Sequence, residues 1–179
     1  MLIIKETLPT DLEKILAVET LAFNRCDEAD LVKKLLHDQT AKPFLSLLAM
    51  RENEAIGHLL FTKAYLENSK DLVSIALLAP LAVIPNYQKQ GVGSLLVKEG
   101  LKRLHQQNFN LVFVLGYPEY YQRFGFQSAQ KLGFFSPFPI PPQHSDAWMV
   151  LALTKNILGL VSGTVKCANS LNQPEYWRE

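Results

Sequence analysis

Residues 79–94, Ala-Pro-Leu-Ala-Val-Ile-Pro-Asn-Tyr-Gln-Lys-Gln-Gly-Val-Gly-Ser, constrain this chain more than any other stretch. They read as an apolar strand, a short turn and a glycine-rich approach to a helix. The first backbone N–H groups of a helix have no partner inside it. They converge with the positive end of the helix dipole, so the place suits a phosphate. Gly91 and Gly93 remove the Cβ atoms that would hold a bulky anion away. The stretch therefore predicts a phosphate-bearing ligand held beside an exposed strand.

The spacing also excludes common alternatives. A Walker loop needs a Gly-Lys pair followed by Ser or Thr, and none is present. A dinucleotide fingerprint needs a third glycine, where this chain has Leu96. Ser94 is not the nucleophile of a strand-to-helix elbow, because Gly-Val-Gly-Ser-Leu lacks the required glycine spacing, and it reads as a cap or a phosphate contact.

A second segment lies about 20 residues further on. Residues 111–115, Leu-Val-Phe-Val-Leu, form a continuous apolar run that predicts a buried strand. Gly-Tyr-Pro-Glu-Tyr-Tyr-Gln-Arg-Phe-Gly-Phe follows at 116–126. Pro118 suits the first turn of a short helix and Gly125 its stop.

Gln88-x-x-Gly91-x-Gly93 after an apolar strand resembles motif A of the GNAT superfamily of acyl-CoA N-acyltransferases. The 116–126 segment resembles that superfamily's second conserved element, and with Leu-Ala-Pro-Leu-Ala-Val at 78–83 it is similar to the YhbS-like subgroup of N-acetyltransferases. Tyr117 stands where that subgroup usually has Asp. The resemblance implies an α/β fold with a central mixed sheet, helices on its faces, and two parallel strands that splay into a V. It implies that acetyl-CoA is the cosubstrate, with no metal. Gln88, Lys89, Gln90, Gly91, Val92, Gly93 and Ser94 are expected at the pyrophosphate, and the backbone of Leu81, Ala82 and Val83 along pantetheine and the acetyl carbonyl. Tyr121 falls on the tyrosine that lies near the thioester sulfur in many relatives, as the acid for the leaving thiolate, with Tyr120 as a fallback that packs in the core.

The general base is left open. Residues 72–84 hold no Asp or Glu, and Ser74 is the polar side chain between Val73 and Val83. Asp27, Glu28, His58 and Glu119 are the candidates by chain position. Glu28-Ala29 with Leu31-Val32 resembles the subgroup's substrate-facing helix, although a carboxylate at a helix N-terminus is also favoured by the dipole. His58 equally reads as a packed, hydrogen-bonded histidine, and water could relay the proton. The expected reaction is direct attack by a primary amine of a small molecule or protein on acetyl-CoA in a ternary complex. The other reading is an acyl-CoA-binding sensor or partner module of the same fold.

The rest of the chain fits one domain, residues 1–154, with residues 155–179 as a C-terminal extension packed on it; residues 159–165 resemble the subgroup's tail. The chain has 179 residues, 48% of them hydrophobic, with a net charge of +1. That balance gives no general attraction to nucleic acid or membrane. No apolar run reaches the ~20 residues of a membrane helix, and the N-terminus reads as a strand rather than a secretion signal. Cys26 and Cys167 form no framework, and His37, His105 and His144 have no metal-ligand spacing. Cys26 reads as buried and structural, and a cytoplasmic setting is expected.

Strands are predicted at 2–5, 44–51, 55–65, 72–84, 111–115 and 148–153, the last as an edge through which a homodimer could form. Helices are predicted after Thr10 or Asp11, capped with Glu13 as in a capping box and burying Leu12, Ile15, Leu16 and Leu21, then at 28–37 and 91–107. At 100° per residue, Gly93, Leu96, Val97, Gly100, Leu101 and Leu104 share the inner face of the last helix. Pro80 cannot donate to a ladder, so a bulge or parting of strands is predicted there.

Overall fold

A computed structural model describes residues 1–69 and 72–178. Its main sheet runs in the order β1 (Leu2–Glu6), β2 (Leu45–Arg51), β3 (Glu54–Leu66), β4 (Ile75–Val83), β5 (Leu111–Leu115), β8 (Trp148–Ala152) and β6 (Gln127–Ser128). The short strands β7 (Phe134–Phe135) and β9 (Gly163–Lys166) pair with each other, and β9 also pairs with the end of β3. Within the main sheet β4 and β5 are parallel, and their other neighbours are antiparallel. Among the described residues, four α-helices accompany the strands: α1 (Leu12–Phe23), α2 (Asp27–Leu36), α3 (Val92–Gln106) and the short α4 (Pro118–Gln122). The fold is the mixed α/β sheet expected. No helix among the described residues is long and apolar enough to cross a membrane.

The sheet holds α1 on one face and α3 on the other. Alternate residues of β3 divide between them, as the two-residue period of a strand requires. Gly57, Leu59 and Phe61 face α3, and His58 faces α1. The inner face of α3 matches the angular prediction: Leu96, Val97, Gly100 and Leu104 are buried, with Lys98, Lys102 and His105 outside. Gly100 lies so close to the Phe61 ring that an added Cβ would overlap it.

The β4–β5 ladder runs from the Ile75–Leu111 pair to the Leu78–Val114 pair and then ends. On the other side of β4, pairing with β3 jumps from Phe61–Leu78 to Leu59–Leu81, so β4 carries an extra residue across Ala79 and Pro80, joined by a cis peptide bond. This is the irregularity that Pro80 predicted. Beyond it, Leu81–Val83 remains paired to β3 while its β5 side is left open.

Several local expectations need correction. Asp11 does not cap α1 with its side chain; it closes the short 3-10 turn that precedes the helix. Its Oδ2 accepts the Leu8 backbone N–H at 2.8 Å and pairs with the Lys5 ammonium at 3.0 Å, which together hold its carboxyl below the usual range. Leu21 is exposed, because α1 turns Ile15, Val18 and Glu19 inward instead. Cys26 is exposed in the short connection after α1, which stops at Asn24 in a left-handed conformation (φ 54°). Strand β8 is an edge covered only in part: β5 pairs with its whole length on one side, and on the other β6 pairs with Met149 and Val150 alone.

Residues beyond 155 contact both the sheet and the helices. The Trp177 ring meets Trp148 edge-on at 5.6 Å, and its indole N–H donates to the Leu171 carbonyl at 3.0 Å. The backbone N–H and hydroxyl of Ser170 both donate to Asp38 Oδ2, just after α2.

The contact between Gly100 and Phe61 gives a counter-intuitive expectation. Ala is the better helix former by about 1 kcal/mol, but the added methyl forces Phe61 off its position, and such overpacking costs about 1–3 kcal/mol. Gly100→Ala is expected to lower the urea midpoint despite its higher helix propensity.

Candidate active site

The parted strands open one cleft of about 1440 Å³. At one end lies the approach to α3. Lys89 and Gly91 adopt left-handed conformations, with φ of 61° and 85°. A Cβ at Gly91 would meet nothing within 4 Å. Its freedom thus serves the turn and leaves open space above it. The first bond of the helix ladder is Leu95 N–H to the Gly91 carbonyl at 3.0 Å, so the amides of Val92, Gly93 and Ser94 precede the ladder.

The cleft brings together Leu81, Val83, Gln88, Lys89, Gly91, Val92, Gly93, Ser94 and Tyr121, which the sequence singled out from two distant segments. Ala82 and Gln90 differ. Ala82 is buried and stands opposite His58, so its side chain belongs to the α1 face. The Gln90 side chain turns back to the Asn86 carbonyl at 2.9 Å. Gln88 Nε2 donates to the Val83 carbonyl at 2.9 Å, fastening the loop to the end of β4.

Both tyrosines line the cleft, but Tyr120 differs in burial from what the sequence suggested for it. Tyr121 is the buried one, 7% exposed, with its ring pressed on Gly116 and edge-on to Tyr120 and Phe126. Burial, and less so the neighbouring Tyr120, pushes its phenol well above the ordinary value, so it keeps its proton at physiological pH. Tyr120 is only half-buried and reaches the loop: a Cβ on Gly93 would lie 2.7 Å from its hydroxyl. Gly93 therefore makes room for Tyr120.

Sequence reasoning missed Arg123. Its Nη2 donates to Ser94 Oγ at 3.0 Å, and its guanidinium lies 4.5 Å from the centroid of the Tyr120 ring. It sets a cation beside the glycine loop, within the same cleft. The arginine stood inside the quoted 116–126 pattern, but its partner lies 29 residues away.

The far end of the cleft is built by the α1–α2 connection and the segment before β8. Glu28 lines it, bound by Arg25 Nη2 at 2.6 Å, and Asp27 lies 3.9 Å from the same guanidinium. His144 and Asp146 line it as well. Glu119 is exposed and outside the cleft lining, as is Asp27.

His58 is fully buried and does not line the cleft. It is the centre of a chain that the sequence did not reveal. Its Nδ1 meets Glu19 Oε1 at 2.7 Å, and its Nε2 meets Ser46 Oγ at 2.8 Å. All three side chains are buried, and Glu19 Oε2 has no hydrogen-bond partner. Burial raises the Glu19 carboxyl above its ordinary value, against the lowering influence of His58. The chain ties α1 to β2 and β3 behind the cleft wall.

These features match known proteins. The profile of the Acetyltransferase (GNAT) family matches residues 10–126, most of the chain and both segments of the cleft. The chain belongs to the GNAT family of acetyltransferases. It is 45% identical over 161 residues to the uncharacterized N-acetyltransferase YjhQ of Escherichia coli K12, covering 89% of this chain and 88% of that protein. It is similar to the crystal structure of the GNAT N-acetyltransferase YhbS from Escherichia coli in complex with CoA, with a TM-score of 0.83 and 30% identity over 96% of this chain and 92% of that one. A GNAT acetyltransferase of Brucella melitensis in complex with acetyl-CoA shares the fold, with a TM-score of 0.76 and 24% identity over 96% of this chain and 98% of that one. The chain is thus a GNAT-type N-acetyltransferase, and the relation to YhbS agrees with the subgroup its motifs resemble.

The buried chain yields a paired expectation. Glu19→Ala leaves His58 without its partner and is expected to cost about 3–5 kcal/mol, whereas Glu19→Gln keeps an acceptor and stays within about 1 kcal/mol of the parent. Below the ordinary carboxyl value of 4.5 both folded and unfolded parents hold the Glu19 proton. As pH climbs through the raised folded value, ionising the buried acid costs stability. Urea unfolding across pH should therefore show the parent losing ground to Glu19→Gln as pH rises.

Proposed function

We propose that this chain transfers the acetyl group of acetyl-CoA to a primary amine, of a small molecule or a protein, by direct attack in a ternary complex in the cytoplasm. The observation that carries this reading is that the β4–β5 ladder ends at Leu78 and Val114 while the same cleft reaches the first residues of α3. Fit supports it: Gly91 leaves open space, the helix amides converge there, and Arg123 adds a cation for a pyrophosphate. In this reading residues 88–94 hold the pyrophosphate, and the backbone of Leu81, Ala82 and Val83, open on its β5 side, takes the pantetheine arm and the acetyl carbonyl.

The amine nitrogen attacks the thioester carbon, and the C–N bond forms as the carbonyl oxygen takes up negative charge. Backbone N–H groups of β4 stabilise that oxyanion. When the C–S bond breaks, the electron pair leaves on sulfur. Tyr121, kept protonated by burial, donates a hydrogen bond or its proton to the thiolate. The amine loses its own proton to a base that the chain positions do not single out; Glu28, held by Arg25, is the candidate carboxylate that lines the cleft.

Calorimetric titration with acetyl-CoA tests the reading. The parent should bind in the micromolar range, and Gly91→Glu should lose that binding while remaining folded by circular dichroism. No binding by the folded parent would overturn the proposal. Tyr121→Phe should keep the parent Kd and lose about 10²-fold in kcat, the usual contribution of a positioned acid; an unchanged kcat would remove Tyr121 from the mechanism.

A further inference from the structure

The far end of the cleft carries information on the acceptor. Two aromatic side chains from separate elements line the cleft with surface open to it: Phe23, the last residue of α1, is 37% exposed, and Tyr117, just before α4, is 83% exposed. Exposed aromatic surface inside a cleft marks ligand contact more than exposed surface elsewhere does, because water leaves such a concavity readily when an apolar group enters.

Two acids that line the same cleft each stand beside a cation. Glu28 is bound by Arg25 at 2.6 Å, and Asp146 lies 3.7 Å from the Lys131 ammonium. Arg25 is also 3.9 Å from Asp27, so its positive charge already faces two carboxylates. A substrate carboxylate would compete with both. The two wall acids, each beside a cation, offer no run of uncompensated negative charge to a polyamine. What the wall presents is apolar surface with locally balanced charge.

We infer that the acceptor is a small arylalkyl monoamine, its ring received by Phe23 and Tyr117 and its single nitrogen directed to the parting of β4 and β5. This rests on the acetyl-transfer reading and names the substrate class for the same site. Phe23 and Tyr117 then determine specificity through ring contacts, which are worth more than area alone when the faces meet edge-on or offset.

The test measures thiol release from acetyl-CoA with 2-phenylethylamine, n-butylamine, spermidine, alanine and an alanyl peptide, beside calorimetric binding of acetyl-CoA. The expected kcat/KM is highest for 2-phenylethylamine, by about tenfold or more over spermidine and alanine and severalfold over n-butylamine. Phe23→Ala and Tyr117→Ala should each raise the KM for 2-phenylethylamine about tenfold and leave the Kd of acetyl-CoA unchanged. Preference for spermidine, alanine or the peptide overturns the inference. So does equal use of n-butylamine, an unchanged KM in both variants, or no thiol release with any of the amines while acetyl-CoA binds. Failure of acetyl-CoA to bind overturns the acetyl-transfer reading itself, which separates the two.

Discussion

The site depends on one interrupted hydrogen-bond ladder. Strands β4 and β5 are bonded as far as Leu78 and Val114, and then β4 bulges across Ala79 and Pro80 and stays with β3 alone. A proline has no N–H to give a neighbouring strand, and an extra residue in a ladder bends it. A continuous sheet at this point would leave no backbone edge for a ligand and no cleft between the start of α3 and α4. The core on either side compensates for the missing bonds: Leu77, Leu78, Phe113 and Val114 are all buried, so packing holds the parted strands in place.

Both motifs were legible because each is local. A glycine with positive φ, an apolar strand before it and an amphipathic helix after it are properties of consecutive residues, and α3 has the inner face that its spacing predicts. The parting of strands was legible for the same reason, through Pro80. Whether Tyr120 or Tyr121 is buried was not, since adjacent residues on a short helix are assigned inside or outside by tertiary contacts: Gly116 admits one ring, and the hydroxyl of the other rests beside Gly93.

The buried chain of Glu19, His58 and Ser46 shows where sequence reading stops. His58 and Glu19 are 39 positions apart, and Ser46 is 12 from His58. Glu19 lies on a helix whose apolar residues pointed to an inner face with Leu21 in it, and a carboxylate there reads as solvated until its partner is known. A charged side chain in a core is costly unless it is paired. The pairing is therefore physically required once the burial is seen, but neither fact is present in the local pattern.

Arg123 connects these levels in a further way. Its guanidinium lies against the faces of Tyr120 and Phe124, 4.5 and 5.4 Å from their centroids. Stacking on fixed rings removes much of the freedom of a long side chain, so the ordering entropy of this cation is lost during folding. The electrostatics of the loop at the start of α3 are in this sense set by an aromatic cluster on the opposite arm of the cleft. A change in those rings would loosen the cation beside the glycine loop without a single change in the loop itself.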